Sequence, residues 1–273
     1  MSEVRFQLLW HEFVLVTPSA EGDAALAYVV QHAHHTHGVV ETVRLEVLDV
    51  PGGFDVVRNG QPIAHAADLL ALVDVVYDQV HTSAFTHASH RGWVRAHAGI
   101  VDVEGARVAI AGPSGIGKTT LALRLLFDGA AVQGDESVLV RDGRAFTVAR
   151  PFHLKDGIAT LVPEVDSALA ALPTLPVTPP VRAFHPDRVR AWEVSERPID
   201  HVVLVERGPS IALAPVESTS VMHDLVENVF WMHETKSTVV REVAAVLRTA
   251  RCHRLVVGDV REASSLVQEL GRR

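Results

Sequence analysis

The sequence predicts an α/β protein with a small N-terminal α/β subdomain (residues 1–65) and a larger unit (66–273) built around a glycine-rich loop. Three observations predict it. Apolar residues recur at period two in several short runs, and helix-period stretches separate those runs. A G-x-x-x-x-G-K-T segment, Gly112 to Thr119, lies between a strand-like run and a helix-forming run. Hydrophobic residues make up 48% of the 273-residue chain but aromatics only 5%, so Ala and Val must fill most of a core this length can bury.

In the first unit Val43, Leu45 and Val47 share one strand face, with Thr42, Arg44 and Glu46 on the other. Asp23 to Ala33 reads as a helix, and Asn59-Gly60 after Val56-Val57 as a hairpin turn. From Ala66 to Ala84 the period becomes helical, with Leu69, Val73, Val76 and Val80 on one stripe. Trp93 to Val103 and Ala106 to Ala111 read as strands joined by the turn Glu104-Gly105. Thr120 to Phe127 is a helix with Gly129 as its C-terminal stop. Short strands follow around Val132 and over Ser137 to Arg141. Asp142-Gly143 turns the chain back into Ala145 to Ala149. Residues 163–198 hold seven of the fourteen prolines, including Pro173, Pro176, Pro179 and Pro180, and predict a long loop with no interior strand. Strands at His201 to Glu206 and Ile211 to Val216 come next. A helix over Thr219 to Met232 with Ser218 as N-cap follows, then a helix over Ser237 to Thr249, a strand over Arg254 to Val257 and a helix over Val260 to Leu270.

The glycine-rich segment has a physical reading. Glycines let the backbone of Gly112, Pro113, Ser114, Gly115, Ile116 and Gly117 curl so that successive N–H groups face an anion. The helix opening at Lys118, Thr119 and Thr120 adds partial positive charge. In such a loop the Lys118 ammonium reaches the β- and γ-phosphates of a nucleoside triphosphate and the Thr119 hydroxyl holds Mg²⁺. Asp135-Glu136 follows between two short strands. Two carboxylates near a triphosphate can divide the work, one for Mg²⁺ and one to accept a proton from an attacking hydroxyl. The long apolar run ending in a single Asp, usual in ATPases, is absent: only Ala130 to Val132 precede Gln133-Gly134.

The stretch HAGIVDVEGARVAIAGPSGIGKTTLALRLLFDGAAVQGDESVLV, His97 to Val140, resembles the HPr kinase/phosphorylase family and its shorter bacterial relatives. It has a His-x-Gly strand, a hairpin, the phosphate loop, a helix and an acidic pair in that order. The resemblance implies a P-loop kinase core of the HPr kinase/phosphoenolpyruvate carboxykinase type that uses ATP and Mg²⁺ to phosphorylate a hydroxyl. It implies Asp135 as general base, Lys118 and Thr119 at the nucleotide and cation positions, and His97 beside the catalytic acid. Glu136 stands where the family has a second Asp, with Mg²⁺ as its expected partner. The glycine-rich segment tied to the family's phosphorylase reaction has no counterpart after Arg150.

Other clusters carry weaker readings. Arg150 and Lys155 are either phosphate contacts or solvated cations, as are Arg182, Arg188 and Arg190 in the proline-rich stretch. His32, His34, His35 and His37 have spacings seen in metal sites and also at frayed helix ends. Cys252 is the single cysteine, so no intrachain disulfide forms, and a reducing cytoplasmic setting is expected. A net charge of −8 argues against wholesale nucleic-acid or membrane binding. The expected partners are a nucleoside triphosphate and a hydroxyl-bearing acceptor (peptide, protein or small molecule), and self-association into a homo-oligomer is compatible with these features. A nucleotide-binding regulatory module and an NTP hydrolase are the competing readings.

Overall fold

The structure, a computed structural model, describes residues 1–30, 38–170, 172, 174–175 and 181–272. It is a mixed α/β fold with three sheets. The first holds β1 (Ser2–Leu8), β2 (His11–Thr17), β3 (Glu41–Val50), β4 (Gly53–Arg58) and β5 (Gln61–Ala66) in sequential order. The alternation in β3 buries Val43, Leu45 and Val47 as expected. Asn59 and Gly60 both take positive φ, the two-residue turn that matches strand twist. Helices α1 (Ala20–Val30) and α2 (Leu69–His90) cover this sheet. Asp68, not Ala66, starts α2: its carboxylate accepts from the Ala71 N–H at 2.8 Å. The expected end of α1 past Val30, and the whole His32 to His37 cluster, lie outside the described residues.

The large sheet runs through β6 (Val94–Val103), β7 (Ala106–Ala111), β8 (Ala131–Gly134), β9 (Ser137–Arg141) and β10 (Arg144–Thr147). Strand β7 lies antiparallel to β6 on one side and parallel to β15 (His201–Arg207) on the other. Beyond it come β18 (Arg251–Val257), parallel to β15, and β16 (Ala212–Val216), antiparallel. Helix α3 (Lys118–Phe127) packs on one face with α8 (Val260–Gln268), and α6 (Ser218–Glu227) and α7 (Lys236–Leu247) pack on the other. The turns at Glu104-Gly105 and Asp142-Gly143 have the expected positive φ, and Gly129 (φ +98°) ends α3.

Two further expectations fail. The helix expected over Thr219 to Met232 stops at Glu227, and Glu217, not Ser218, stands at its N-cap. Val229–Phe230 instead forms β17, paired with Arg95 and Ala96 of β6, while the His97 N–H donates to Asn228 O at 2.7 Å. The open edge of β6 offers backbone partners that a further helical turn could not reach. The proline-rich stretch is also not a plain loop. After β11 (Phe152–Leu154), α4 (Ile158–Leu161), α5 (Asp166–Leu169) and β12 (Thr174–Leu175), the segment Val181–Phe184 is β13, the middle strand of a small sheet with β11 and β12. Those four residues contain no proline, so they keep every ladder N–H. Pro173, Pro176, Pro179 and Pro180 lie outside the described residues. The far end returns to the large sheet through β14 (Arg197–Pro198), which pairs with β10. There Trp192 Nε1 donates to Gln133 O at 3.0 Å, and the fully buried Arg107 donates to Ser195 O at 2.6 Å while forking onto Asp102.

No helix among the described residues is long and apolar enough to cross a membrane.

Candidate active site

The site begins where β7 leaves the sheet. Gly112 has φ +146°, and a Cβ there would come within 2.7 Å of Val205 O on β15, so the neighbouring strand excludes any side chain. Gly115 and Gly117 also have positive φ, and Gly117 O accepts from Leu121 N to start α3. Arg207 Nη2 donates to Gly115 O at 3.1 Å and braces the loop from β15. Leu121, Ala122, Leu125 and Leu126 bury the inner face of α3, which fixes the direction of its N-terminus.

Lys118 is 5% exposed, and its Nζ donates to Gly112 O at 2.8 Å and Pro113 O at 3.1 Å. Burial lowers its pKa to about 8, against the opposing charge of Asp135, so at neutral pH the ammonium keeps its proton.

The acidic pair is placed by β6. Strand β8 pairs with Ile100 to Asp102 and β9 with Val94 to His97, so Asp135-Glu136 is the kink between two strands laid along one edge of a third. Gly99 permits the close approach: a Cβ there would meet Gly134 O at 2.9 Å and the Asp135 Cα at 3.1 Å. The His-x-Gly pattern of the sequence therefore has a steric reason at its glycine.

Asp135 is 3% exposed. Its Oδ2 accepts from the Thr119 hydroxyl at 2.7 Å, while Oδ1 is buried with no hydrogen-bond partner. Glu136 pairs with the buried Arg150, whose Nη2 also stands 4.0 Å from Asp135 Oδ1 and whose Nη1 is 3.4 Å from His153 Nδ1. The carboxylate touching Thr119 is thus that of Asp135, and Glu136 faces a guanidinium.

His97 is half-buried on β6, with its ring against Phe230 at 5.1 Å between centroids. Burial, then the charges of Lys118, Arg150 and Arg95, push its pKa down to about 4. It is a neutral imidazole near pH 7, able to exchange hydrogen bonds but not to serve as a proton-loaded acid. Arg95 is sandwiched between Phe85 and Phe230 at 3.8 and 4.2 Å and donates to Ser137 Oγ, beside Glu136.

These groups line one cavity of about 610 Å³. Ser114, Gly115, Gly117, Lys118, Thr119, Thr120, His97, Asp135, Glu136, Arg150 and Lys155 all reach it; Gly112, Pro113 and Ile116 shape the loop without lining it. Val73, Asp74 and Tyr77 of α2 form a further wall that no sequence signal marked, since α2 carries no motif and precedes the loop by a whole hairpin. Leu154, Ile158 and Leu161 supply an apolar side. Arg182, Arg188 and Arg190 do not line the cavity; Arg182 donates to Leu169 O and Leu172 O, and Arg190 to Gly129 O.

Among the described residues no group of three or more His, Cys, Asp or Glu could hold a metal alone. Mg²⁺ that arrives with a nucleotide needs only one or two protein ligands beside phosphates. The Thr119 hydroxyl and the Asp135 carboxylate beside it, one oxygen of which is buried without a hydrogen bond, fit that need.

No family model and no curated protein matches the sequence. Among solved structures the chain is similar to the HPr(Ser) kinase/phosphatase of Coxiella burnetii. The two are 11% identical, with 65% of this chain and 93% of that chain covered at a TM-score of 0.34. A likeness this remote decides neither fold nor activity, and the residues of the cavity carry the functional reading.

Proposed function

We propose that this chain is an ATP- and Mg²⁺-dependent kinase of the P-loop, HPr kinase/phosphoenolpyruvate carboxykinase type. In this reading residues 66–273 form the catalytic unit and residues 1–65 a small accessory one. One observation carries it: the Thr119–Asp135 hydrogen bond of 2.7 Å joins the phosphate loop to the acidic kink inside a single cavity. A buried carboxylate oxygen left without a hydrogen bond costs stability, and a ligand in the cavity would offset that cost.

The loop N–H groups and the start of α3 hold the phosphates, and Lys118 turns from the loop carbonyls to the β/γ oxygens. Mg²⁺, when bound, screens the phosphate charge beside Thr119 and Glu136. Asp135 Oδ1, which has no hydrogen-bond partner, accepts the proton of the acceptor hydroxyl as that oxygen attacks. His97, held neutral, orients the acceptor or the carboxylates by hydrogen bonding. A hydroxyl acceptor suits this set because it must lose a proton, whereas a carboxylate is already ionised and needs no base. We favour a Ser or Thr of a peptide or protein over a free metabolite, and a cytoplasmic location.

The test is incubation with ATP labelled at the γ-phosphate and candidate acceptors. Label in an acceptor, as an ester stable to mild acid, supports the kinase. Free phosphate alone would make the protein a hydrolase, intact ATP a binding module, and an acid-labile product would remove the hydroxyl assignment and the role of Asp135.

A further inference from the structure

The most confined cation in the cavity outside the loop is Arg150. It follows the buried pair Val148-Ala149 and precedes Pro151, so its backbone leaves β10 in a fixed direction. Its side chain is 8% exposed and reaches the same cavity as Lys118, Thr119 and Asp135. A planar guanidinium matches a carboxylate and a phosphate with equal geometry, and its cost of burial demands one or the other. Glu136 is the carboxylate it holds, and Glu136 is itself 31% exposed at the cavity wall.

We propose that the Glu136–Arg150 ion pair is a partner-exchange device that makes the site selective for the nucleoside triphosphate. On arrival of ATP, Arg150 moves from the Glu136 carboxylate to the terminal phosphoryl oxygens, and the freed Glu136 turns to the cation side beside Thr119. A diphosphate, ending one phosphoryl short, leaves the ion pair closed. No bond is made or broken in this step; one anionic partner replaces another. The exchange also explains why the acid expected beside Mg²⁺ is found on an arginine.

This rests on the kinase reading, and equilibrium binding separates the two. ATP and ADP are titrated into the full chain in EDTA, which isolates the arginine from the cation, for wild type, Arg150→Lys and Glu136→Gln, with folding checked by circular dichroism. Arg150→Lys keeps the charge but loses the fork. It is expected to weaken ATP by about tenfold to a hundredfold, the worth of charge-assisted hydrogen bonds, with ADP changed less than about twofold. Glu136→Gln removes the competitor and should tighten ATP severalfold while leaving ADP unchanged. Equal loss of both nucleotides in Arg150→Lys, no loss of either, or weaker ATP binding in Glu136→Gln would overturn the exchange while leaving the loop assignment intact. Wild type that binds neither nucleotide, in EDTA or with excess Mg²⁺, would overturn both.

Discussion

The Thr119 hydroxyl donates to Asp135 Oδ2 at 2.7 Å across sixteen residues of chain, and the other oxygen of that carboxylate is buried without a hydrogen bond, 4.0 Å from Arg150 Nη2. One contact therefore ties the helix that would carry the phosphates to the kink that would carry the base. Asp135→Asn keeps an oxygen for Thr119 and removes the proton acceptor. Turnover should fall by about 10²- to 10⁴-fold with ATP affinity little changed. If added Mg²⁺ restores Asp135→Asn and not Glu136→Gln, the two acids have exchanged roles.

Lys118→Ala should separate function from stability. Burial disfavours the Lys118 ammonium and lowers its pKa, so in the proposed reading the side chain serves a ligand at the expense of the fold. The variant is expected to melt at or above the wild-type temperature and to lose nearly all turnover. A large drop in melting temperature would instead make Lys118 a structural tie between the carbonyls of Gly112 and Pro113.

Gly99→Ala tests how the acidic pair is placed. The added methyl would meet backbone on the facing kink, which cannot rotate away as a side chain could. A loss of about 1–3 kcal/mol in chemical denaturation is expected from overpacking, with turnover reduced through displacement of Asp135. Unchanged activity would mean that the kink tolerates movement and that Asp135 need not be held closely.

Much of this was legible in the sequence because it is local chemistry. Asn59-Gly60, Glu104-Gly105 and Asp142-Gly143 mark turns that need positive φ, and Gly112, Gly115 and Gly117 mark the curled loop. What was not legible depends on distant partners. The pairing of Glu136 with Arg150, and the wall made by Asp74 and Tyr77, arise from packing between elements far apart in sequence. Val229–Phe230 has a pattern compatible with continuing α6, and only the free edge of β6 draws it into a strand. Val181–Phe184 was hidden by the prolines around it, although it contains none.

Acid should destabilise the fold through its histidines. Burial lowers the pKa of His97 to about 4 and lowers those of His11, His87 and His201 as well. Between those values and the ordinary 6.5 the unfolded chain binds protons that the folded chain refuses. Stability is therefore full above about pH 6.5 and is lost as pH falls toward about 4. Melting temperature followed from about pH 7.5 to about pH 5 should decrease, and His97→Gln should flatten the slope. A flat profile would mean that the buried imidazoles are not held neutral.

Hydrogen exchange with and without Mg·ATP tests the central claim most directly, since it reads binding and its location together. Slowed exchange is expected at the loop amides of residues 114–120 and at the acidic kink, residues 133–137, with the first sheet unchanged. No protection at either segment, or protection confined to residues outside the cavity, would contradict the assignment of this loop as a nucleoside triphosphate site.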